Sequence, residues 1–275
     1  MTIWNYYDKL MNKEEQTNKA RWDESAKIHK DSEFYDVKGF LAGDIKLDEI
    51  ERGGFPDVVG KKLLHLQCHF GLSTLSWARL GAKVTGVDFS TEAIKIAGEL
   101  AEKAKLDARF VESDIYKLRE NLDDKFDCVF TSYGVKAWLR DTFEWARIIT
   151  HFLKPGGRFF MAEFHPFAHI FDDESDKIQI RYSYFNDGKP MRFESDYTYA
   201  SGKKMENTTA FEWTHHLGEI LGALCEAGLH ITHFKEYNHT CYQAYPYAKE
   251  VEPGKWKIEG DPFPLMFSVG GVLPE

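Results

Sequence analysis

Residues 63–90 have the sequence LLHLQCHFGLSTLSWARLGAKVTGVDFS, and this stretch decides the fold that we predict. The run KLLHLQ predicts a short strand, STLSWARLG a helix that ends at Gly81, and KVTGVD a second strand. A loop between such a strand and helix usually carries several glycines when it approaches a ligand closely. Here residues 67–70 (QCHF) precede a single glycine, Gly71. The question is whether this is a ligand-binding loop without its glycines or a core strand that only resembles one.

The alternation of strands and helices continues after residue 90. Ser90 precedes TEAIKIAGELAEKAKL, an amphipathic helix with a polar N-cap, and the segments ARFVESD, FDCVFTS and RFFMAEF predict the third, fourth and fifth strands. TFEWARIITHFL predicts a helix that KPGG ends, THHLGEILGALCEAGL predicts another, and HITHFKEYN and PLMFSVGGVLP predict two final strands. Strands that alternate with helices predict right-handed βαβ units and a mostly parallel sheet.

Two segments depart from this alternation. Residues 1–58 are rich in charged and aromatic side chains with helical spacing, and they predict an N-terminal helical extension that acts as a lid. Within the main domain, residues 59–275, the segment 166–213 contains KIQIRYSYF, MRFESDYTYA and MENTTAFEW. These predict antiparallel strands in an insertion over the substrate side of the sheet.

Composition limits the function. The chain has 275 residues, 43% hydrophobic and 29% charged, and a formal net charge of −9. Without a basic face, nucleic acid is a disfavoured partner. There is no apolar run near twenty residues and no signal-peptide pattern, so we expect no membrane span and a cytoplasmic location. The four cysteines are far apart in the sequence, which fits a reducing compartment.

Acidic residues stand where the predicted strands end. In a doubly wound sheet, ligands bind beyond the carboxyl ends of the strands. The loop at 67–71 follows the first strand, Asp88 closes the second and Asp114 closes the third. A carboxylate at the position of Asp88 can hold the two hydroxyls of a ribose. The order of strand, loop, helix, strand and aspartate therefore predicts a site for an adenosine-containing ligand.

In this order of motifs, residues 62–164 and 215–272 resemble the class I S-adenosylmethionine-dependent methyltransferases. The segment LKPGGRFF resembles the turn before their fifth strand, and HLQCHFG…DFS resembles a bacterial subgroup of small-molecule-type enzymes. The resemblance implies a Rossmann-like α/β fold of about seven strands with an antiparallel last strand. It implies S-adenosylmethionine as cofactor and S-adenosylhomocysteine as product. The cofactor-binding residues that it implies are Gln67, Cys68, His69, Gly71, Asp88, Phe89, Ser90, Asp114, Ile115 and Thr131.

The loop departs from the family pattern. His65 stands where the family usually has an acidic residue, and Gln67 and His69 replace two glycines. Either Gln67 or His69 contacts the amino-acid end of the cofactor, or His69 packs within the loop; Cys68 fits packing as well as contact. The missing glycines argue against NAD, because a pyrophosphate needs close backbone approach.

The candidates for substrate contact and proton transfer each allow two roles. Tyr133 and Trp138 follow the fourth strand and are either pocket walls or core aromatics, and Tyr35 closes over the cofactor or packs on the sheet. Glu163 and His165, at the end of the fifth strand, and His215, at the start of a helix, are candidate general bases or structural residues. The spacing His165-x-x-x-His169 could ligate a metal on a helix, but Pro166 disfavours a helix there, so we predict no metal.

The leading function is therefore methyl transfer to an oxygen or nitrogen of a small molecule. The alternatives are a tRNA or rRNA methyltransferase and a non-catalytic cofactor-binding partner module, with an NAD-dependent oxidoreductase a distant fourth. The sequence identifies neither the acceptor nor the oligomeric state.

Overall fold

The computed structural model describes residues 11–185 and 187–275, and its main feature is a seven-stranded sheet. The strand order is β3-β2-β1-β4-β5-β12-β8, with β12 antiparallel to both of its neighbours and the remaining pairs parallel. The predicted Rossmann-like α/β fold is confirmed. The strands of this sheet are β1 Lys62–Leu66, β2 Lys83–Asp88, β3 Ala108–Glu112, β4 Phe126–Ser132, β5 Leu153–Phe164, β8 His230–Tyr237 and β12 Met266–Val272.

Helices cover both faces of this sheet. Ser90 caps α5 by accepting a hydrogen bond from the Ala93 N–H at 3.1 Å, and Asp141 caps α7 by accepting one from the Glu144 N–H at 2.9 Å. Each cap satisfies an amide that has no partner within the first turn of its helix. The helices are α1 Lys13–His29, α2 Val37–Ala42, α3 Glu49–Gly54, α4 Leu72–Arg79, α5 Thr91–Ala104, α6 Leu118–Asn121, α7 Thr142–Phe152 and α8 Leu217–Glu226.

The apolar core lies in layers on either side of the sheet. On one side Leu64, Leu66 and Phe159 pack in the cluster that contains the buried residues of α7 and α8. On the other side Leu63 and Phe130 pack in a cluster with residues of α3 and α4. Burying each such side chain contributes about 1.5–3 kcal/mol, so the sheet is a rigid platform for the loops at its edge.

The N-terminal extension lies over the carboxyl edge of the sheet. Helix α1 begins with a capping box in which Asn12 and Glu15 accept each other's backbone N–H. It packs against α5 on one side and against β7 (Thr209–Glu212) of the insertion on the other. Residues 1–10 of the predicted extension lie outside the described residues.

The insertion contains one two-stranded antiparallel ribbon, β6 Met191–Glu194 paired with β7 Thr209–Glu212. The strand predicted over residues 177–185 is wrong: the described part of this segment contains only an isolated bridge from Ile180 to Phe171. Ile178 and Ile180 are exposed, so the alternating pattern has no sheet face to bury. Pairing partners, and not β propensity alone, decide where strands form.

Two features of the C-terminal half differ from the sequence prediction. Strand β5 begins at Leu153 and not at Arg158, so KPGG lies within the strand and shifts its register with β4. A three-stranded sheet was not predicted between the last two strands of the main sheet. Its strands are β9 His239–Thr240, β10 Lys249–Glu252 and β11 Lys255–Lys257. In the described part of the chain, no helix has the length and apolarity that a bilayer crossing needs.

Candidate functional site

A cavity of about 520 Å³ lies at the carboxyl ends of β1, β2, β3 and β4. Helices α1 and α3 and the insertion form its other walls. It is lined by eight of the ten cofactor residues and all three substrate residues that the resemblance and the sequence indicated. These are Gln67, Cys68, His69, Gly71, Asp88, Phe89, Asp114 and Ile115, together with Tyr35, Tyr133 and Trp138.

The loop after β1 has the backbone of a glycine-rich loop without its glycines. Gln67 has φ 56° and His69 has φ 51°, both in the left-handed region that glycine favours, and Gly71 has φ 80°. A Cβ at Gly71 would lie 2.8 Å from the Phe110 ring, so this glycine is required by packing as well. The loop therefore has the turn conformation of a glycine-rich loop, and the side chains of Gln67 and His69 add two polar groups to the cavity wall.

Asp88 fastens this loop to the end of β2. Its Oδ2 accepts the His69 N–H at 2.8 Å, and its Oδ1 accepts the Ser90 N–H at 2.9 Å. Burial raises the pKa of Asp88 to about 6, although both backbone hydrogen bonds favour the ionised form. Each carboxylate oxygen keeps a second lone pair with which it can accept a hydroxyl from a ligand.

Asp114 has a similar position at the end of β3. Its Oδ1 accepts the Tyr116 N–H at 2.9 Å and caps the short 3-10 turn Ile115–Lys117. Burial raises the pKa of Asp114. Ser113, Ile115 and Tyr116 line the cavity around it and give this end a partly apolar wall.

Three buried polar atoms on the cavity wall have no hydrogen-bond partner among the residues that the structure describes. They are Gln67 Oε1, His69 Nδ1 and Trp22 Nε1. Gln67 is held by its other end, since its Nε2 donates to the Val135 carbonyl at 3.0 Å. Buried polar atoms are almost always satisfied in folded proteins, so these three fit a wall that contacts a polar ligand.

An acidic pair that the sequence analysis missed lies at another part of the cavity. Asp48 and Glu51 form the capping box of α3, in which each side chain accepts the other's backbone N–H. Burial raises the pKa of Glu51, the Asp48 carboxylate raises it further, and the Ser132 and Ser73 hydroxyls oppose the shift. The Tyr133 hydroxyl donates to Asp48. In the sequence, the spacing Asp-x-x-Glu is typical of a helix N-terminus. It does not indicate that the two side chains also line a cavity.

His65 is uncharged in the cavity wall. Its Nδ1 lies 2.8 Å from the Thr74 hydroxyl, and burial lowers its pKa to about 3. The position therefore carries a neutral ring where the family pattern has a carboxylate.

Two of the expected cofactor residues do not line the cavity. Ser90 is fully buried, and its hydroxyl donates to Asp23 on α1 at 2.7 Å while it caps α5. Thr131 is also fully buried and donates to the Leu66 carbonyl at 3.2 Å. Both residues hold the walls of the cavity in place, and the residues after Thr131 line it: Ser132 at the end of β4 and Tyr133 in the turn that follows.

The three candidate bases lie outside this cavity, in surroundings that suit structural roles. Glu163 is buried, and its carboxylate accepts the N–H groups of Gly134, Val135, Lys136 and Phe164 at 2.6–3.3 Å. It fixes the turn after β4, and its lone pairs are already occupied. The geometry does not favour Glu163 as a base.

The two histidines are held in the same way. His165 accepts the Phe167 N–H at Nδ1, and its Nε2 lies 3.0 Å from Glu236 on β8. His215 lies 2.7 Å from the Thr142 hydroxyl and 2.9 Å from Glu219 at Nδ1, and its Nε2 donates to the Leu139 carbonyl at 2.6 Å. Both ring nitrogens of His215 are engaged, whereas His165 Nε2 lies at ion-pair distance from Glu236 without a hydrogen bond to any described residue. Both histidines lie outside the main cavity, so neither is positioned to take a proton from an acceptor there.

A second cavity of about 570 Å³ adjoins the first and lies beneath the insertion. Its lining includes Arg21, Lys136 and Glu194 and is more polar than that of the first cavity. Eight residues line both cavities: Trp22, Ala137, Trp138, Phe164, His169, Tyr199, Glu212 and Tyr242. Of these, the sequence analysis assigned only Trp138 to the site. The others lie on α1, at the end of β5, on β7 and on the connecting loops, where no local pattern distinguishes a cavity wall from packing.

No metal centre is evident in the ranges 11–185 and 187–275, where no group of three or more His, Cys, Asp or Glu side chains is placed to bind an ion.

Comparison with known proteins agrees with this geometry. Residues 63–157 match the family described as methyltransferase domain, which covers β1 to the first part of β5. The ubiquinone biosynthesis O-methyltransferase of Xanthomonas oryzae is 29% identical over 106 residues. That alignment covers 38% of this chain and 44% of the relative, so the chain spans less than half the length of this curated relative.

Solved structures resemble nearly the whole chain. An S-adenosylmethionine-dependent methyltransferase from Mesorhizobium loti has a TM-score of 0.59 at 22% identity, covering 84% of this chain and 99% of that structure. One from Clostridium acetobutylicum has a TM-score of 0.55 at 17% identity, covering 94% and 99%. Residues 63–157 thus resemble a methyltransferase domain, and the chain has the fold of the solved S-adenosylmethionine-dependent methyltransferases.

Proposed function

We propose that this protein is an enzyme that transfers a methyl group from S-adenosylmethionine to an oxygen or nitrogen of a small molecule. One observation carries the proposal. The polar ends of β1, β2 and β3 line a single cavity that is large enough for a nucleoside ligand, with Asp88 in its wall. Ligands of doubly wound sheets bind at this edge.

The residues present fit the cofactor. Asp88 would accept the ribose hydroxyls, and Asp114 and Ile115 would border the adenine. Gln67 Oε1 and His69 Nδ1, both buried without partners among the described residues, would contact the amino-acid end. Asp48 and Glu51 would accept hydrogen bonds from its ammonium group, whose positive charge would favour the ionised form of Glu51 against the effect of burial. The uncharged His65 ring offers no negative charge for this role.

The cofactor, when bound, supplies an electrophilic methyl group on a sulfonium. The chain's own task is then to attract that cation, exclude water and orient the acceptor. The aromatic rings of Trp22, Tyr35 and Trp138 line the cavity and suit a cationic ligand. Tyr35 and Tyr199 are hydrogen-bonded through their hydroxyls, so the N-terminal segment and the insertion are joined over the site.

A small molecule is the acceptor that fits best. The acceptor side of the cavity is covered by α1 and the insertion, which leaves a space of small-molecule size. The net charge of −9 does not suit a nucleic acid. The curated relative named above is an O-methyltransferase in ubiquinone biosynthesis, and its name supports a small-molecule acceptor. We also assign the chain to the small-molecule subgroup with the HLQCHFG variant of the first motif.

The test is methyl transfer from labelled S-adenosylmethionine. The purified protein is incubated with a bacterial small-molecule extract or with bulk tRNA, and label is followed by mass spectrometry. We expect label in a small molecule. Label in tRNA would contradict the small-molecule assignment. If the protein binds the cofactor and labels neither pool, the non-catalytic partner module becomes the better account.

A further inference from the structure

We propose that the second cavity binds the acceptor, a planar molecule with an aromatic hydroxyl, and that Glu212 removes its proton. This inference rests on the proposed methyl-transfer function. It concerns a residue, Glu212, to which the sequence analysis gave no role, in a cavity that the candidate base His215 and the candidate substrate residue Trp138 also line.

The backbone on both sides of Glu212 is fixed. The Phe211 N–H donates to Asn18 Oδ1 at 2.8 Å, and Asn18 Nδ2 donates back to the Phe211 carbonyl at 2.7 Å. The Trp213 N–H donates to the Ala137 carbonyl at 2.8 Å. Glu212 is thereby held between α1 and the turn after β4, where the two cavities meet. A catalytic group needs such a rigid support.

The carboxylate of Glu212 is free to act. In the described part of the chain it makes no hydrogen bond and no ion pair, although it lines both cavities. Glu163, the acid that the sequence suggested, accepts four backbone N–H groups instead. Of these two glutamates, Glu212 has the lone pairs available to receive a proton.

Two charged groups face Glu212 from other elements. Arg21 on α1 attracts it but donates its own hydrogen bonds to the carbonyls of residues 195, 197, 207 and 208. Asp173, in the loop after β5, repels it. Burial and Asp173 raise the pKa of Glu212 to about 7, against the opposing effect of Arg21. A base with a pKa near the working pH transfers protons most effectively.

The other titratable side chains that line both cavities are His169, Tyr199 and Tyr242, and all three are uncharged at neutral pH. Burial lowers the pKa of His169 to about 3, raises that of Tyr199 to about 12 and raises that of Tyr242. Glu212 is thus the group at the junction that titrates near neutral pH.

The walls around Glu212 suit a planar acceptor. Trp22, Trp138, Phe164, Tyr199 and Tyr242 line both cavities and present aromatic rings to the space between them. Aromatic walls favour flat rings by stacking and edge contacts. An aromatic hydroxyl is acidic enough to pass its proton to a carboxylate, whereas an aliphatic hydroxyl is a far weaker acid.

The proposed step transfers the methyl group to the acceptor oxygen and the hydroxyl proton to Glu212. Glu212 takes the hydroxyl proton while the acceptor oxygen forms its bond to the methyl carbon. The electron pair of the breaking carbon–sulfur bond stays on sulfur, so the sulfonium becomes a thioether. The proton then leaves Glu212 for water.

The first test needs no turnover. 4-Nitrophenol is titrated into wild type and Glu212→Gln over a pH series, with and without S-adenosylhomocysteine, and ionisation is followed by phenolate absorbance. We expect bound 4-nitrophenol to ionise roughly one pH unit or more higher on wild type, because the ionised carboxylate opposes a second negative charge. Equal pKa values for the bound phenol would overturn the role of Glu212. Absence of binding to wild type would overturn the acceptor pocket.

The second test uses transfer from S-adenosylmethionine to phenol, catechol and 4-nitrophenol. We expect Glu212→Gln to lower kcat/KM by roughly 100-fold or more, with unchanged cofactor affinity, and Glu212→Asp to recover part of the loss. The matched control is Glu206→Gln on the exposed part of the same insertion, which should retain full activity. Wild type that binds the cofactor but methylates none of these phenols would overturn this inference alone. Wild type that binds no cofactor would instead overturn the proposed function.

Discussion

His29 Nδ1 lies 2.9 Å from His69 Nε2, so a hydrogen bond joins α1 to the loop that follows β1. The two rings meet edge to face at the boundary between the cavities. The N-terminal helix is therefore tied directly to a residue of the candidate cofactor loop. Protonating both imidazoles would replace this hydrogen bond with charge repulsion.

This pair predicts a loss of stability in acid. Burial lowers the pKa of His29 to about 4, below its ordinary value of 6.5. As the pH falls from 6.5 to 4, the unfolded chain binds the proton and the folded chain does not, so the free energy of unfolding decreases. The contribution of His29 is about 3 kcal/mol. Urea unfolding across this range should show a smaller loss for His29→Gln than for wild type.

The control for this experiment is His230→Gln, at an exposed position on β8. It should lose as much stability in acid as wild type does. An identical pH dependence for His29→Gln and wild type would contradict the buried neutral pair.

Gly71 should not tolerate a side chain. Its φ of 80° and the Phe110 ring, which would lie 2.8 Å from an added Cβ, predict that Gly71→Ala destabilises the fold by about 2 kcal/mol and weakens cofactor binding. Gly98 lies within α5 with open space around it, so Gly98→Ala should be neutral or stabilise by up to about 1 kcal/mol. Thermal unfolding compares the stabilities of the two variants, and calorimetry compares their affinities for the cofactor. Equal effects would contradict the packing account of the loop.

Glu51 should matter more for ligand binding than for folding. Because burial and Asp48 raise its pKa, its contribution to stability is lost as the pH rises through that pKa. Unfolded Glu51 ionises near pH 4.5 and folded Glu51 near pH 8, so Glu51→Gln should flatten the pH dependence of unfolding between about pH 4.5 and 8. It should also weaken S-adenosylmethionine binding by roughly tenfold.

The comparison for Glu51 is Glu49→Gln on the exposed face of the same helix, where the side chain pairs with Lys255. That variant should bind the cofactor like wild type. If Glu51→Gln bound S-adenosylmethionine with full affinity, the acidic pair would not hold the ammonium group.

Arg21 should control the docking of the insertion. It donates hydrogen bonds to four backbone carbonyls of the insertion at 2.8–3.1 Å. Arg21→Met should lower the free energy of unfolding by about 2 kcal/mol and speed proteolysis of the insertion. Lys27→Met, at an exposed site on the same helix, is the control and should cleave at the wild-type rate. Unchanged proteolysis of Arg21→Met would show that other contacts hold the insertion.

The sequence predicted the parts of the site that are local in the chain. Asp88 and Asp114 could be found because each follows a regular strand, and strand ends meet at one edge of the sheet. Glu212 and the acidic pair could not be found, because their roles depend on how distant segments pack. In the sequence, Glu51 has the spacing of a helix-capping residue. Glu212 has the pattern of an ordinary solvent-facing residue on a strand.

The same physics explains the assignments that the structure disfavours. Glu163 lies at the end of a buried strand as a catalytic acid would, yet three N–H groups from the turn after β4 and that of Phe164 point at it. Which polar atoms a buried carboxylate meets depends on tertiary packing. The exposed segment 177–185 is the opposite example. Its residues favour a strand, but no neighbouring strand in the described part of the chain pairs with it, so no regular strand forms there.

Calorimetric titration of wild type and Asp88→Ala with S-adenosylmethionine, and separately with NAD, tests the central claim most directly. Asp107→Ala, an exposed site before β3, serves as the control, and thermal unfolding confirms that each variant is folded. We predict that wild type and Asp107→Ala bind S-adenosylmethionine and not NAD, and that Asp88→Ala binds it roughly tenfold more weakly or worse. Full affinity of a folded Asp88→Ala variant, or binding of NAD alone by wild type, would contradict the assignment of this cavity.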